Sequence, residues 1–335
     1  MPYSESVLAR ATLRLEARRR DRETRQQARR EEIYRALPRM AEIDRRLRQT
    51  GPRIIAAAFQ RGEDPGEMVS SLRQENLALQ RERAALLAEQ GYPPDALEGT
   101  PFCPLCGDTG WRGAAMCSCL KQLCAEEQIK ELSSLLDLGE QSFEKFQLEY
   151  YDNTPWPDYG RSPRKNMEVV LRICQDYAAD FGSYFRKNLF LWGGTGLGKT
   201  FLSSCMARTV SEKGFSVVYD TAGNIFSRFE EQKFSRDTED VQQARDLTRK
   251  YLRCDLLILD DLGSELTTPF VQTALYTLIN SRLTAGLSTV ISTNLTIKDV
   301  RLRYTPQITS RLEGEYQSLP FFGRDIRLIK KLERK

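Results

Sequence analysis

The sequence predicts an α/β domain, a mostly parallel sheet with helices on both faces, preceded by a helical N-terminal region that carries a cysteine knuckle. Three observations predict it. The run Gly193–Thr200 fits the phosphate-loop pattern G-x-x-x-x-G-K-[ST], and it sits between a strand-length apolar run, Asn188–Trp192, and a helix-like run, Phe201–Ala207. Beyond it, strand-like and helix-like stretches alternate as far as Phe322. Ahead of it, five of the eight cysteines fall within Cys103–Cys124.

Taken in order, residues 4–50 read as a long helix with a sparse apolar stripe of Leu8, Leu13, Leu15, Ile33, Leu37, Met40, Ile43 and Leu47. Thr50-Gly51-Pro52 reads as a turn. Ile54–Phe59 restarts a helix, and Gly62–Gly66 breaks it. Leu72, Leu79 and Leu86 recur every seven residues, but the intervening Val69, Asn76 and Arg83 make a poor seam, so a helical hairpin or small bundle fits better than a coiled coil. Gly91-Tyr92-Pro93-Pro94 ends the helical region. Lys121–Leu138 reads as a connecting helix, Gln141–Asp158 as an irregular aromatic-rich stretch, and Asn166–Phe185 as a helix. After the phosphate loop come a strand at Ser216–Tyr219 and helices at Ala222–Phe234 and Val241–Tyr251. A buried strand at Asp255–Asp261, a helix at Phe270–Thr284 and a strand at Thr289–Asn294 follow. Helices at Ile297–Tyr304 and Pro306–Tyr316 precede a last strand at Ser318–Phe322. The expected domains are 1–95 (helical), 96–125 (zinc-binding), 126–164 (linker) and 165–335 (the phosphate-loop domain).

At 335 residues, 40% hydrophobic and with mean hydropathy −0.50, the chain suits a soluble, cytoplasmic protein with polar appendages. No apolar window reaches membrane-spanning length, and the N-terminus lacks the apolar core of a signal peptide. The net charge of +4 is uneven, because residues 1–50 hold fourteen Arg against eight acidic residues. Such an arm suits nucleic acid or an acidic protein face, and equally a solvated helix laced with ion pairs.

Cys103-x₂-Cys106 and Cys117-x-Cys119 supply four thiolates from two short knuckles, enough to surround a tetrahedral Zn²⁺. Glycines at 107, 110 and 113 permit the turns. The chain has no His, so a mixed site is excluded. Disulfides are the alternative, disfavoured in a reducing cytosol. A closed four-sulfur shell leaves no open position for catalysis.

In the phosphate loop, Gly193, Gly194, Thr195, Gly196, Leu197 and Gly198 would turn backbone N–H groups toward phosphate oxygens, and Lys199 would reach the β- and γ-phosphates. The Thr200 hydroxyl would ligate Mg²⁺. Leu256–Leu259 leads into Asp260 and Asp261. The first carboxylate is placed to hold Mg²⁺, the second to polarise an attacking water. Asn294 at the end of the next strand could orient that water. Arg311 on a later helix could reach a neighbouring subunit's nucleotide, and Arg327 could contact phosphate in its own subunit.

This ordered set, Gly193–Thr200, Leu256–Asp261, Asn294, Arg311 and Arg327, resembles the AAA+ ATPases. Asp260-Asp261-Leu262-Gly263 is similar, more narrowly, to the bacterial helicase loaders of the DnaC/DnaI type and to the IstB transposition helpers. The cysteine cluster behind a helical region resembles the Firmicute-like subgroup with a zinc module. The resemblance implies an AAA+ fold without a C-terminal helical lid, ATP and Mg²⁺ as cofactors with structural Zn²⁺, and a slow ATPase, since Asp261 stands where many relatives have Glu. It implies that Asn294 is the first sensor, Arg311 the finger acting in trans and Arg327 the second sensor. It further implies an ATP-dependent oligomer, single-stranded DNA along it, and a replicative hexameric helicase docked by the N-terminal helices and zinc module. An IstB-like helper acting on duplex DNA and a transposase is the alternative. A metabolic phosphate-loop enzyme would need a substrate pocket and lid for which no segment stands out.

Overall fold

In the computed structural model the described residues are 3–59, 65–133, 136, 141–235 and 238–333. They pack as two compact units, Leu13–Cys117 and Met1–Thr12 with Ser118–Lys335. These limits are drawn differently from the four stretches read off the sequence.

The Leu13–Cys117 unit is built from the part of helix α1 (Glu5–Ala36) that begins at Leu13, from α2 (Pro38–Phe59) and α3 (Pro65–Glu89), and from a small antiparallel hairpin of β1 (Trp111–Arg112) and β2 (Ala115–Met116). The expected single helix over 4–50 breaks at Leu37, because Pro38 disfavours helical geometry in the residue before it and itself suits the first position of a new helix. The turn expected at Thr50-Gly51-Pro52 is absent, and α2 runs through it. There α2 lies antiparallel to α3, with Arg39 bonded to Glu82, and Arg46 and Arg53, on either side of Pro52, both reaching Glu75. The pairing runs on past the internal proline, whose cost inside a helix is about 3 kcal/mol. Leu72, Leu79 and Leu87 are buried while Leu86 is half-buried, so the apolar face follows the drift of a straight helix instead of a strict heptad. The break expected over Gly62–Gly66 falls partly outside the described residues, and Pro65 and Gly66 already belong to α3.

The second unit opens with residues 3–12, whose Tyr3, Val7 and Ala11 form a buried i, i+4, i+8 stripe. Its other elements are α4 (Ser118–Ser133), α5 (Pro163–Ala179), β3 (Asn188–Gly193), α6 (Lys199–Glu212), β4 (Val217–Thr221), α7 (Ala222–Phe234), α8 (Thr238–Arg253), β5 (Leu256–Leu262), α9 (Pro269–Thr284), β6 (Ser288–Thr293), α10 (Ile297–Arg303), α11 (Pro306–Glu315), β7 (Gln317–Phe321) and α12 (Ile326–Glu333). The end of the connecting helix expected to Leu138 lies partly outside the described residues. The helix expected to Phe185 stops at Ala179, and α12 was not foreseen.

The five strands form one wholly parallel sheet in the order β4-β5-β6-β3-β7. Successive side chains alternate between two cores. Leu189, Leu191, Leu256 and Ile258 meet Val170 and Cys174 of α5 and Leu202 and Met206 of α6. Phe190, Leu257, Leu259 and Ile291 meet α7, α9 and α11 through Phe226, Leu275 and Leu312. Burial on both faces explains the unbroken apolar runs. At the β4 margin, the Gln128 side chain of α4 accepts from Val217 N at 2.9 Å. At the β7 margin, Pro320 has no N–H and its carbonyl accepts from Asn166 of α5 at 2.7 Å. Among the described residues no helix is long and apolar enough to cross a membrane.

Candidate functional site

A parallel sheet presents its ligand crevice at the carboxyl ends of its strands. Here those ends open into a cavity of about 550 Å³ lined by Thr195–Phe201, Asp260, Asp261, Ser292, Asn294 and Arg327. The loop from β3 to α6 enters through Gly193 at φ 132°, where a Cβ would overlap the Phe321 backbone of β7. Gly198 at φ 87° precedes α6, and no side chain caps that helix. Its first N–H groups are therefore available to an anion, with the helix dipole favouring negative charge.

Lys199 lies at the floor, 7% exposed, and its Nζ donates to Gly193 O at 2.8 Å and Gly194 O at 2.6 Å. Burial pushes its ammonium down to about 8, an effect only partly offset by Asp260 and Asp261. Thr200 Oγ1 donates to Asp260 Oδ2 at 3.1 Å. The buried Asp260 carboxylate also accepts from Tyr219 OH at 2.6 Å and from Ser292 Oγ. Between Leu259 and Leu262 the β5–β6 register shifts, and Asp261 there adopts φ 57°. A bulge of this kind breaks the strand's alternation, and a non-glycine residue at positive φ stores strain that recurs at functional sites. Asp261 N donates to Ser292 Oγ at 3.1 Å, and Asn294 Nδ2 donates to Asp261 Oδ1 at 2.6 Å.

Octahedral Mg²⁺ keeps its oxygen ligands roughly 3 Å apart, and the Thr200 hydroxyl and Asp260 carboxylate meet that spacing at the cavity wall. The glycine cradle and uncapped helix fit a polyphosphate beside them. The two groups therefore fit the residues present.

Two further walls were invisible in the local motifs. Lys145, Phe146, Tyr150 and Tyr151 line one side of the cavity, with Tyr151 OH donating to Leu197 O at 2.9 Å. Helix α12 closes against the loop: Ile326 N donates to Gly196 O at 3.0 Å, and a Cβ on Gly196 would overlap the Asp325 carboxylate. Arg327 and Lys330 line the cavity from this helix, and Lys330 Nζ sits 4.9 Å from the centre of the Tyr150 ring. The signal for these walls was present only as aromatic clustering in Gln141–Asp158 and as an i, i+3 pair of cations on α12. Arg311 is not among the lining residues. Its guanidinium stacks on Tyr276 of α9, 5.4 Å from the ring centre.

The Sγ atoms of Cys103, Cys106, Cys117 and Cys119 all lie within 4.8 Å of one another, with Cys103 and Cys117 at 3.7 Å. A disulfide needs about 2.05 Å. Thiolates about 2.3 Å from a central Zn²⁺ stand roughly 3.8 Å apart, so the donor set fits a tetrahedral Zn²⁺. The turn is organised by buried Asp108 at φ 65°, which accepts from Cys103 N at 2.8 Å and from Phe102 N at 3.2 Å and pairs with Arg22 of α1.

Residues 172–305 match the family model of the IstB-like ATP binding protein. Over that stretch, about two fifths of its length, the chain is similar to an IstB-like ATP-binding domain. The matched stretch contains the loop Gly193–Thr200, Asp260, Asp261 and Asn294, whereas Arg311, Arg327 and the knuckle cysteines Cys103, Cys106, Cys117 and Cys119 lie outside it. A 74-residue stretch is 38% identical to the chromosomal replication initiator protein DnaA of Aliarcobacter butzleri (strain RM4018), spanning 22% of this chain and 16% of that relative's length. The crystal structure of DnaI shares 19% identity with a TM-score of 0.42, over 56% of this chain and 92% of that one. The crystal structure of the DnaC helicase loader shares 18% identity with a TM-score of 0.42, over 54% and 98%.

Proposed function

We propose that this chain is a cytoplasmic, ATP-dependent loader of a replicative hexameric DNA helicase, acting at the initiation of DNA replication. The observation that carries the nucleotide chemistry is the convergence of Lys199, Thr200, Asp260, Asp261, Asn294 and Arg327 on one cavity. In this reading the loop and α6 hold the phosphates. Lys199 leaves its carbonyl partners for the β- and γ-phosphates, and Thr200 and Asp260 support Mg²⁺. Asp261, aimed by Asn294, polarises water for slow hydrolysis. Arg327 senses the bound phosphates in cis, and Arg311 completes the site of a neighbouring copy. The N-terminal helices and the Zn²⁺-bound knuckle choose the helicase, and single-stranded DNA lies along the ATP-dependent oligomer.

A second reading, an IstB-like transposition helper on duplex DNA, is favoured by the family match. The cysteine knuckle favours the loader. Capture from extract separates them: the loader reading expects the hexameric helicase, and recovery of a transposase with no helicase would sink it. Arg311→Ala should still bind ATP yet lose hydrolysis stimulated by assembly, and unchanged stimulated turnover would remove the trans finger from the scheme.

A further inference from the structure

Three hydroxyls from three different elements converge on one carboxylate. Asp260 Oδ2 accepts from Thr200 of α6 at 3.1 Å and from Tyr219 of β4 at 2.6 Å, while Oδ1 accepts from Ser292 of β6. The sheet makes this arrangement possible. Ile258 is the cross-strand partner of Tyr219, which leaves Asp260, two residues further on, as its diagonal neighbour. Asp260 is 6% exposed and Tyr219 9%, so water competes little for either.

A carboxylate oxygen has two lone pairs. With Thr200 and Tyr219 both donating, Oδ2 is saturated. Oδ1 accepts from Ser292 and keeps its second lone pair for an ion or an ion-bound water; a Thr200 hydroxyl that ligated Mg²⁺ would do so through its own oxygen lone pair and could still donate its proton to Oδ2. Tyr219 is not a ligand in this scheme and stays in place. Together with Ser292 it fixes the plane of the carboxylate, so the open Oδ1 lone pair keeps one direction. Resting on the nucleotide reading above, we infer that Tyr219 is a positioning residue for metal-dependent ATP hydrolysis, orienting Asp260 so that it takes Mg²⁺ at low concentration.

The test is a Mg²⁺ titration of ATP hydrolysis by the full chain, paired with nucleotide binding in chelator, for wild type, Tyr219→Phe and Ser292→Ala. Tyr219→Phe should raise the Mg²⁺ concentration for half-maximal turnover about tenfold. Turnover at saturating Mg²⁺, metal-free nucleotide binding and the melting temperature should stay near wild type. Ser292→Ala should show the same Mg²⁺ shift together with lower saturated turnover, because Asp261 N also loses its acceptor. A Tyr219→Phe titration that superimposes on wild type overturns the inference. So does one in which metal-free binding falls in step, which marks a merely structural role. If Tyr219→Phe melts early, Ser292→Ala decides on the same criterion. A wild type without any metal-dependent hydrolysis would instead strike the nucleotide reading, and this inference with it.

Discussion

The nucleotide cavity and the cysteine knuckle are built on opposite plans. The knuckle closes within residues 103–119: its turns follow from Gly107, Asp108 and Gly110 at positive φ, and its four sulfurs are neighbours in the chain. The cavity gathers side chains from α6, β4, β5, β6, α12 and the stretch 141–151. Every one of these depends on the parallel sheet order that brings distant strand ends together. A site of short-range turns can be gained or lost as a cassette, whereas a site at strand ends fails whenever the sheet does.

Lys199→Ala should weaken ATP binding by about a hundredfold or more, since charge-assisted bonds to phosphate vanish. Metal content at the knuckle should not change. Retained micromolar affinity in a nucleotide-binding assay would contradict the assignment. Next, Cys103→Ser should cut Zn²⁺ affinity at least tenfold to a hundredfold while nucleotide affinity holds, as read by chelator competition and nucleotide titration. Loss of both would show that the two sites are one structural system. Third is pH. Phosphate needs the charged Lys199, whose ammonium in the free protein is held at about 8. ATP affinity should therefore be flat below that value and fall by up to about tenfold per unit above it, with proton uptake on binding near pH 8.5. Calorimetry in two buffers of different ionisation enthalpy reads that proton. The smallest effect is Thr296→Ala, which removes the capping box of α10 beside Asn294 and should cost about 1 kcal/mol in denaturant unfolding with little change in turnover.

The sequence reading went furthest where the physics is local. The loop Gly193–Thr200 and the pair Asp260–Asp261 are consecutive residues, and the strand–helix alternation follows from apolar runs that need two covered faces. What escaped depends on partners far along the chain. Tyr219 reads as an ordinary strand aromatic until β4 is known to lie beside β5. Phe146 and Tyr151 read as linker residues until the loop arrives beneath them. Residues 3–12 share a long helical pattern with their neighbours, yet Tyr3, Val7 and Ala11 are buried in the unit that holds the sheet. Pro38 and Pro52 look alike locally. Pro38 opens α2, whereas Pro52 lies inside it between two arginines that both pair with Glu75 of α3.

The sheet's margins carry one more consequence. Val217 N is occupied by a glutamine side chain, and Pro320 offers no donor and no idle carbonyl, so at these two points the borders cannot bond another ribbon. If copies of this chain gather around a nucleotide, as the proposed function holds, helices and loops are the surfaces left for them to recognise one another at those points.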